Sequence, residues 1–288
     1  MNLQTYTQVW ARHYLPVKAP ATRRTLASRL ATMNGVFGQM ELPAINDTAV
    51  QDWVNKAQET LAPKTIANNW SALRVVLVRA KRDGLIAQVP MPELPRNRRA
   101  GKQPWLSLEE IRRLLAASPI HRPITWVLAE TGLRIGELLG LTWDAIDPDN
   151  RTLEVRHSVY AGQSQDTKTV AAERTLAVSE DLLRLVGSLP RRSNYVFTTG
   201  KGTPLWPAEI GKQYRQLASE VGIDWTGFHA IRHGARMVWT QLGMPEVLIE
   251  QRMGHAIPGV RGVYLHQLGT DAPWAARIAD TLKEGIRE

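Results

Sequence analysis

The run His229-Ala230-Ile231-Arg232, then Met253-Gly254-His255, then Tyr264 nine residues after His255, decides how this 288-residue chain is read. It gathers two histidines, an arginine and a phenol on one short stretch of helical sequence. His229 and Arg232 stand three residues apart and so share a helix face. Such a set is able to stabilise a pentavalent phosphate without a metal while the phenol attacks it. Each residue also has a plainer reading. His229 and Arg232 at this spacing occur by chance in many helices, His255 after Gly254 caps a helix end, and Tyr264 between Val263 and Leu265 packs as a core aromatic. The order and spacing of the whole set carry the chemical reading.

In-line attack on a phosphodiester needs a nucleophile, an acceptor for its proton, cations for the equatorial oxygens and an acid for the departing oxygen. Working upstream, Arg134 follows Thr131-Gly132, where a helix ends and a guanidinium can point into a cleft. Arg134 and Arg232, each bidentate, suit the non-bridging oxygens of one phosphate. Lys168, in Asp166-Thr167-Lys168-Thr169, falls on a polar hairpin loop that can reach a leaving oxygen. Taken alone, Arg134 reads as a surface ion pair and Lys168 as a solvated loop residue. No His/Asp/Glu cluster has metal spacing and His157 stands alone, so neither a metal nor another cofactor is expected.

Composition sets the partner. Apolar content of 43% and charged content of 22% are ordinary for a globular protein, but the net charge is +9 and the pI about 10.0. The excess is uneven: residues 1–100 hold 14 Lys+Arg against 6 Asp+Glu, and the remainder 22 against 21. A basic excess confined to one third of the chain points to a nucleic-acid partner, with double-stranded DNA expected. The longest clean apolar run in a candidate helix is about that of Val75-Val76-Leu77-Val78, too short for a bilayer. The start, MNLQTYTQVWARHYL, lacks a basic region followed by an apolar one, and there are no cysteines; both fit a cytoplasmic location.

Residues 6–14, 23–37, 48–60 and 64–83 carry apolar residues at helical spacing, separated by Pro16 to Pro20, Gly38 to Pro43 and Pro63. They predict a small bundle over 1–88. On its last helix Thr65, Asn68, Asn69, Arg74, Lys81 and Arg82 are candidates to face phosphates, although a solvated face looks the same; most of the ten tryptophans read as core or interface residues, with Trp70 a candidate to touch DNA sugars instead. Residues 89–104, with four prolines and four basic residues from Pro90 to Pro104, read as an extended linker. Ser107-Leu108-Glu109-Glu110 is a capping box opening a helix through Leu115. Helices over 123–130, with Gly132 as C-cap, and over 135–141 follow. Strands are expected over 152–159 and 174–178, and the rest returns to helix. The fold class expected is mainly α with a small antiparallel β-sheet, an N-terminal helical bundle and a C-terminal mixed α/β domain over 105–288.

Thr131-Gly132-Leu133-Arg134-Ile135-Gly136-Glu137-Leu138 with Leu141-Thr142-Trp143 resembles the first-arginine box of the tyrosine recombinases, the phage integrase family. Thr167-Lys168-Thr169 with Arg174-Thr175-Leu176 is similar to that family's lysine hairpin. His229-Ala230-Ile231-Arg232-His233, Met253-Gly254-His255 and Tyr264 resemble its second box and nucleophile. The resemblance spans 105–270 in order; over 1–88 it rests on size, charge and helicity. It implies a core-binding domain followed by a tyrosine recombinase catalytic domain, acting as a site-specific recombinase or integrase. Tyr264 would form a 3′-phosphotyrosine, and Arg134, Arg232 and His255 would bind the phosphate. Lys168 would be the general acid, His229 would help manage the tyrosine proton, and Glu137 would buttress the site.

The resemblance further implies a two-domain clamp on DNA, a tetramer on two duplexes, a directionality factor as a possible accessory, and no need of metal or ATP. Arg261 departs from a usual Thr or Ser, and Ala256-Ile257-Pro258 from the usual serines, which bears on the shape of that loop. No arm-binding segment precedes the first bundle, so recognition of distant arm sites is not expected. Residues 274–282 form an amphipathic helix that would pack on its own domain or dock on a neighbouring protomer. Two rivals remain: a catalytically inactive DNA-binding relative, which the intact six-residue set opposes, and a type IB topoisomerase-like activity, which the bundle and tail oppose.

Overall fold

Asn2 starts the first helix by accepting a hydrogen bond from the Thr5 amide, and the chain runs on through α1 (Leu3–Tyr14). In this computed structural model, residues 1–96, 104–160, 163–166, 173–255 and 271–284 are described. They divide into two compact units, Met1–Gly101 and Lys102–Glu288.

In the first unit, α2 (Pro20–Phe37) and α4 (Pro63–Arg82) each begin with proline, whose fixed φ and missing N–H suit a first turn. Asn46 caps α3 (Asp47–Ala57) by accepting from the Ala49 amide. The four helices enclose Leu3, Trp10, Met33, Phe37, Trp70, Leu73 and Leu77. Two sequence expectations change here. Trp70 and Asn69 are both 6% exposed, so both belong to the packed side of α4 and not to a phosphate-facing surface. Thr65, Arg74, Lys81 and Arg82 remain exposed. The start of the expected linker lies along α3, since the Met91 amide donates to Asp47 (2.6 Å) and the Glu93 amide to Gln51 (2.8 Å).

The second unit opens with the expected capping box: Glu110 accepts from the Ser107 amide at 2.7 Å and Ser107 Oγ from the Glu110 amide at 3.2 Å. Helix α5 (Leu108–Ala117) leads to α6 (Arg122–Thr131), which ends in left-handed Gly132, and then to α7 (Ile135–Leu139), two residues shorter than expected. Strands β1 (Ile146–Asp147), β2 (Thr152–Val155), β3 (His157–Tyr160), β4 (Gln163–Asp166) and β5 (Arg174–Ala177) follow. The single strand expected over 152–159 is thus two, broken at Arg156, whose guanidinium turns to Glu154 (2.7 Å) and Asp144 (2.8 Å). The break splits the strands between an antiparallel sheet of order β1-β2-β5 and a β3-β4 hairpin.

Helices α8 (Glu180–Gly187), α9 (Pro207–Glu220), α10 (Phe228–Gln241), α11 (Glu246–Met253) and α12 (Ala272–Lys283) complete the unit. Its core includes Leu114, Leu128, Leu138, Ile231, Trp239, Ile249 and Ile278. The tail helix α12 packs on its own domain. Ala275, Ile278, Ala279 and Leu282 are buried, and Arg112 donates to the Thr281 carbonyl at 2.6 Å. Full burial of Ile278 and Leu282 contributes ~1.5–3 kcal/mol each. Among the described residues no helix is long and apolar enough to cross a membrane.

Gly132 is where the core meets the site. Its φ is +66°, and a Cβ there would lie 2.6 Å from the Trp239 ring and 3.3 Å from Met253 Sδ. Gly132→Ala therefore combines left-handed strain with overpacking, and should lower unfolding free energy by about 2 kcal/mol or more. Urea denaturation followed by tryptophan fluorescence checks this; an unchanged midpoint would show that the turn relaxes freely.

Candidate active site

The turn at Gly132 delivers Arg134 to the start of α7, where its amide donates to Glu137 Oε2 (3.0 Å) and its Nη1 to Glu137 Oε1 (2.6 Å). Glu137 is one turn into the helix, so a carboxylate there both caps the helix and takes the arginine's charge. From β5, Arg174 reaches the same carboxylate, with Nη2 3.0 Å from Oε2, and donates Nε to the Arg252 carbonyl at 2.8 Å. The Arg174 and Glu137 side chains are about 5% exposed, while that of Arg134 is 38% exposed. One buried anion thus orients two cations, and the more accessible of them, Arg134, is able to meet a ligand.

Burial alone would raise the Glu137 carboxyl, but Arg174 and then Arg134 outweigh it and hold it below its ordinary value. The Arg174 guanidinium is lowered chiefly by burial, with Arg134 and Arg252 adding repulsion against the attraction of Glu137.

Arg232 comes from the first turns of α10 and is 3% exposed. Its Nη1 donates to the Gly132 carbonyl and its Nη2 to the Met253 carbonyl, tying the ends of α6 and α11 together. The same Nη2 lies 3.2 Å from His255 Nε2. Burial first, then the nearby charge of Arg134, pushes this guanidinium down to about 10. His255 Nδ1 lies 2.6 Å from Glu250 Oε2, and Glu250 Oε1 pairs with Arg236 at 2.5 Å. Burial would raise Glu250, yet Arg236 and His255 hold it below the ordinary range. Gly254, left-handed at φ +62°, leaves room for Arg174: a Cβ there would sit 2.7 Å from its Nη1. His229 opens α10, its pKa lowered by burial of part of the ring and by the charges of Arg232 and Arg134.

Arg134, Arg232 and His255 are therefore brought together with His229 beside them, on a frame of Glu137 and Arg174. Lys168, Tyr264, Arg261 and the 256–258 segment lie outside the described residues. Arg174 stands inside the lysine-hairpin motif, and the sequence alone assigns it no role. Its place in β5, paired with Val155, would have placed it beside the buried face. Glu250 was missed because it sits five residues before His255, across a left-handed glycine that breaks helical periodicity. Arg252, 1% exposed, was also missed. It donates to the Ala177 carbonyl (3.1 Å) and the Glu130 carbonyl (2.9 Å), pairs with Asp271, and lies over the Trp239 ring. Glu130 beside it is fully buried, its carboxyl raised by that burial while Ser179 and Trp126 donate to it.

This arrangement belongs to a class of catalytic domain with known relatives. The model of the phage integrase family matches residues 104–269, more than half of the chain. The chain belongs to the phage integrase family and is a site-specific recombinase of the tyrosine type. It is 26% identical over 268 residues to a XerC-like tyrosine recombinase of Caldanaerobacter subterraneus, covering 79% of this chain and 68% of that one. It is 26% identical to tyrosine recombinase XerD of Lacticaseibacillus casei, covering 88% and 91%. With the integrase of Staphylococcus phage L54a it shares 24% identity over 50% of this chain and 45% of that one. A Tn1549 transposon integrase in complex with a circular intermediate DNA has a similar fold, with a TM-score of 0.77 at 20% identity over 97% and 98% of the two chains. A lambda integrase dimer bound to a core site gives 0.67 at 15% over 92% and 95%.

Glu137 yields a prediction with a sign. Its folded-state carboxyl lies below the ordinary value of 4.5. Its contribution to stability is thus complete above about pH 4.5 and is lost as the pH falls through the lower folded value. Glu137→Gln should cost about 3–5 kcal/mol at pH 7, because Arg174 keeps its burial and loses its anion. The deficit should shrink toward acid pH. Denaturant titrations at pH 7 and pH 4 check it, and an equal deficit at both would contradict the electrostatic assignment.

Proposed function

We propose that this recombinase cuts and rejoins double-stranded DNA through a 3′-phosphotyrosine at Tyr264, in the integration or excision of a phage or other mobile element. The observation that carries this reading is the convergence of Arg134, Arg232 and His255 around the Glu137–Arg174 pair. Two guanidiniums and an imidazole supply enough positive charge and donors for the two non-bridging oxygens of one phosphate. The phage L54a and Tn1549 integrases among the relatives support the mobile-element part.

In the proposed step the Tyr264 oxygen attacks phosphorus, the bond to the 5′-oxygen breaks, and the phosphate stays on the 3′ strand. The phenol proton passes to His229, and Lys168 gives a proton to the departing 5′-oxygen. The phosphotyrosyl bond retains the energy that religation needs, which a water nucleophile would lose. The basic first unit supplies the salt-sensitive grip on the backbone, through exposed residues such as Arg74, Lys81 and Arg82. Self-association into a tetramer on DNA, with a directionality factor as accessory, completes the reading.

A suicide duplex that loses its 5′ fragment on cleavage should trap a covalent protein–DNA adduct, and Tyr264→Phe should abolish it. An adduct retained in that variant places the nucleophile elsewhere. Lys168→Ala should slow cleavage about 10²–10⁴-fold on a 5′-oxygen leaving group and much less on a bridging 5′-sulfur, which leaves without a proton. Equal slowing on both substrates would rule out the general-acid role.

A further inference from the structure

A carboxylate only accepts hydrogen bonds and a guanidinium only donates them. His255 touches one of each: Nδ1 faces Glu250 Oε2 at 2.6 Å, and Nε2 faces Arg232 Nη2 at 3.2 Å. Both contacts hold together only when the proton sits on Nδ1 and the lone pair on Nε2. Glu250 is itself fixed from behind, its Oε1 paired with Arg236 at 2.5 Å, and Arg236 also pairs with Glu246. The Glu250 side chain is 25% exposed and held ionised below the ordinary carboxylate range, so it stays an acceptor at any pH near neutrality.

We infer that Glu250 is a positioning residue that locks His255 in the Nδ1–H tautomer and aims Nε2 at the phosphate held by Arg134 and Arg232. The inference rests on the phosphate-binding role proposed for His255. A carboxylate so placed orients a histidine through the hydrogen bond that the other ring nitrogen makes. In the tautomer that Glu250 enforces, a proton can be taken up only at Nε2. The resulting imidazolium keeps one N–H on the carboxylate and offers the other to a phosphate oxygen. Without Glu250 the ring is free to turn over or to carry its proton on Nε2, and this preset geometry is lost. His233 on α10 also interacts with His255 but presents no anion to it, and Arg236 acts on the Glu250 carboxylate.

Nitrogen NMR of the imidazoles reads the tautomer without any reaction. Wild-type protein should show His255 as Nδ1–H, assigned by its loss in His255→Asn. Glu250→Gln, whose amide oxygen still accepts, should keep that tautomer, and Glu250→Ala should lose it. On the suicide duplex at saturating protein, Glu250→Ala should form the adduct at least ten-fold more slowly with duplex affinity changed less than two-fold, and Glu250→Gln should recover most of that loss. Arg236→Ala separates this from a merely structural pin between α10 and α11, because it breaks the ion pair and leaves the contact with Nδ1. It should slow adduct formation far less than Glu250→Ala. An Nε2–H tautomer in wild type, an unchanged tautomer in Glu250→Ala, or equal losses in Arg236→Ala and Glu250→Ala would each overturn the inference. Absence of any Tyr264-dependent adduct in wild type would instead count against the proposed function, while the NMR result still decides the tautomer.

Discussion

The buried carboxylate of Glu137 is the constraint on which the catalytic unit depends. It accepts from the Arg134 amide, the Arg134 guanidinium and the Arg174 guanidinium at 2.6–3.0 Å. Remove its charge and two arginines face each other and Arg232 with no anion between them. Keep it, and α7, β5 and, through Arg174, the last turn of α11 are fixed to one point. Coulomb interactions in so dry a place are strong, which is why one carboxylate suffices to set the direction of two long side chains.

Much of the remaining hydrogen-bonding capacity of the arginines is met by the peptide backbone. Arg232 donates to the carbonyls of Gly132 and Met253, Arg174 to that of Arg252, and Arg252 to that of Glu130. All four carbonyls lie at the C-terminal ends of α6 and α11, where the last carbonyls lack intrahelical partners and the helix dipole is negative. Both helices stop on a left-handed glycine, Gly132 or Gly254. The glycines turn the chain sharply enough to leave those carbonyls open toward the cleft. The cation cluster is thus stable without a bound anion, because two helix ends already act as a partial one.

This physics explains which parts were legible in the sequence. The helices of the first unit and the Ser107 capping box were readable because apolar periodicity and capping chemistry are local. That Arg134, Arg232 and His255 come together was legible only from their joint order and spacing, since each residue taken alone has a plainer structural reading. Which way Trp70 faces was not legible, because an aromatic on a basic helix looks the same from sequence whether it points inward or outward; its place in a core shared with Leu3, Met33 and Phe37 is a tertiary fact. The strand over 152–159 was misread for a similar reason, since Arg156 fits the alternation but ends the pairing of β2. Glu250 and Arg252 were not readable at all. Their roles depend on partners reached across a turn or from another element, and no period in the chain records them.

Arg252 shows how far the support extends behind the site. Its guanidinium is 1% exposed, and Asp271 supplies its countercharge with only 17% of its own side chain exposed. Asp271 also accepts from the Ala177 amide at the end of β5. Residues 252 and 271 flank the stretch that contains Tyr264, so this ion pair brings the two ends of that stretch to one place beside β5. Glu137 thus orients the cations, the carbonyls at two helix ends accept from them, and the Arg252–Asp271 pair ties the end of α11 to the residue before α12.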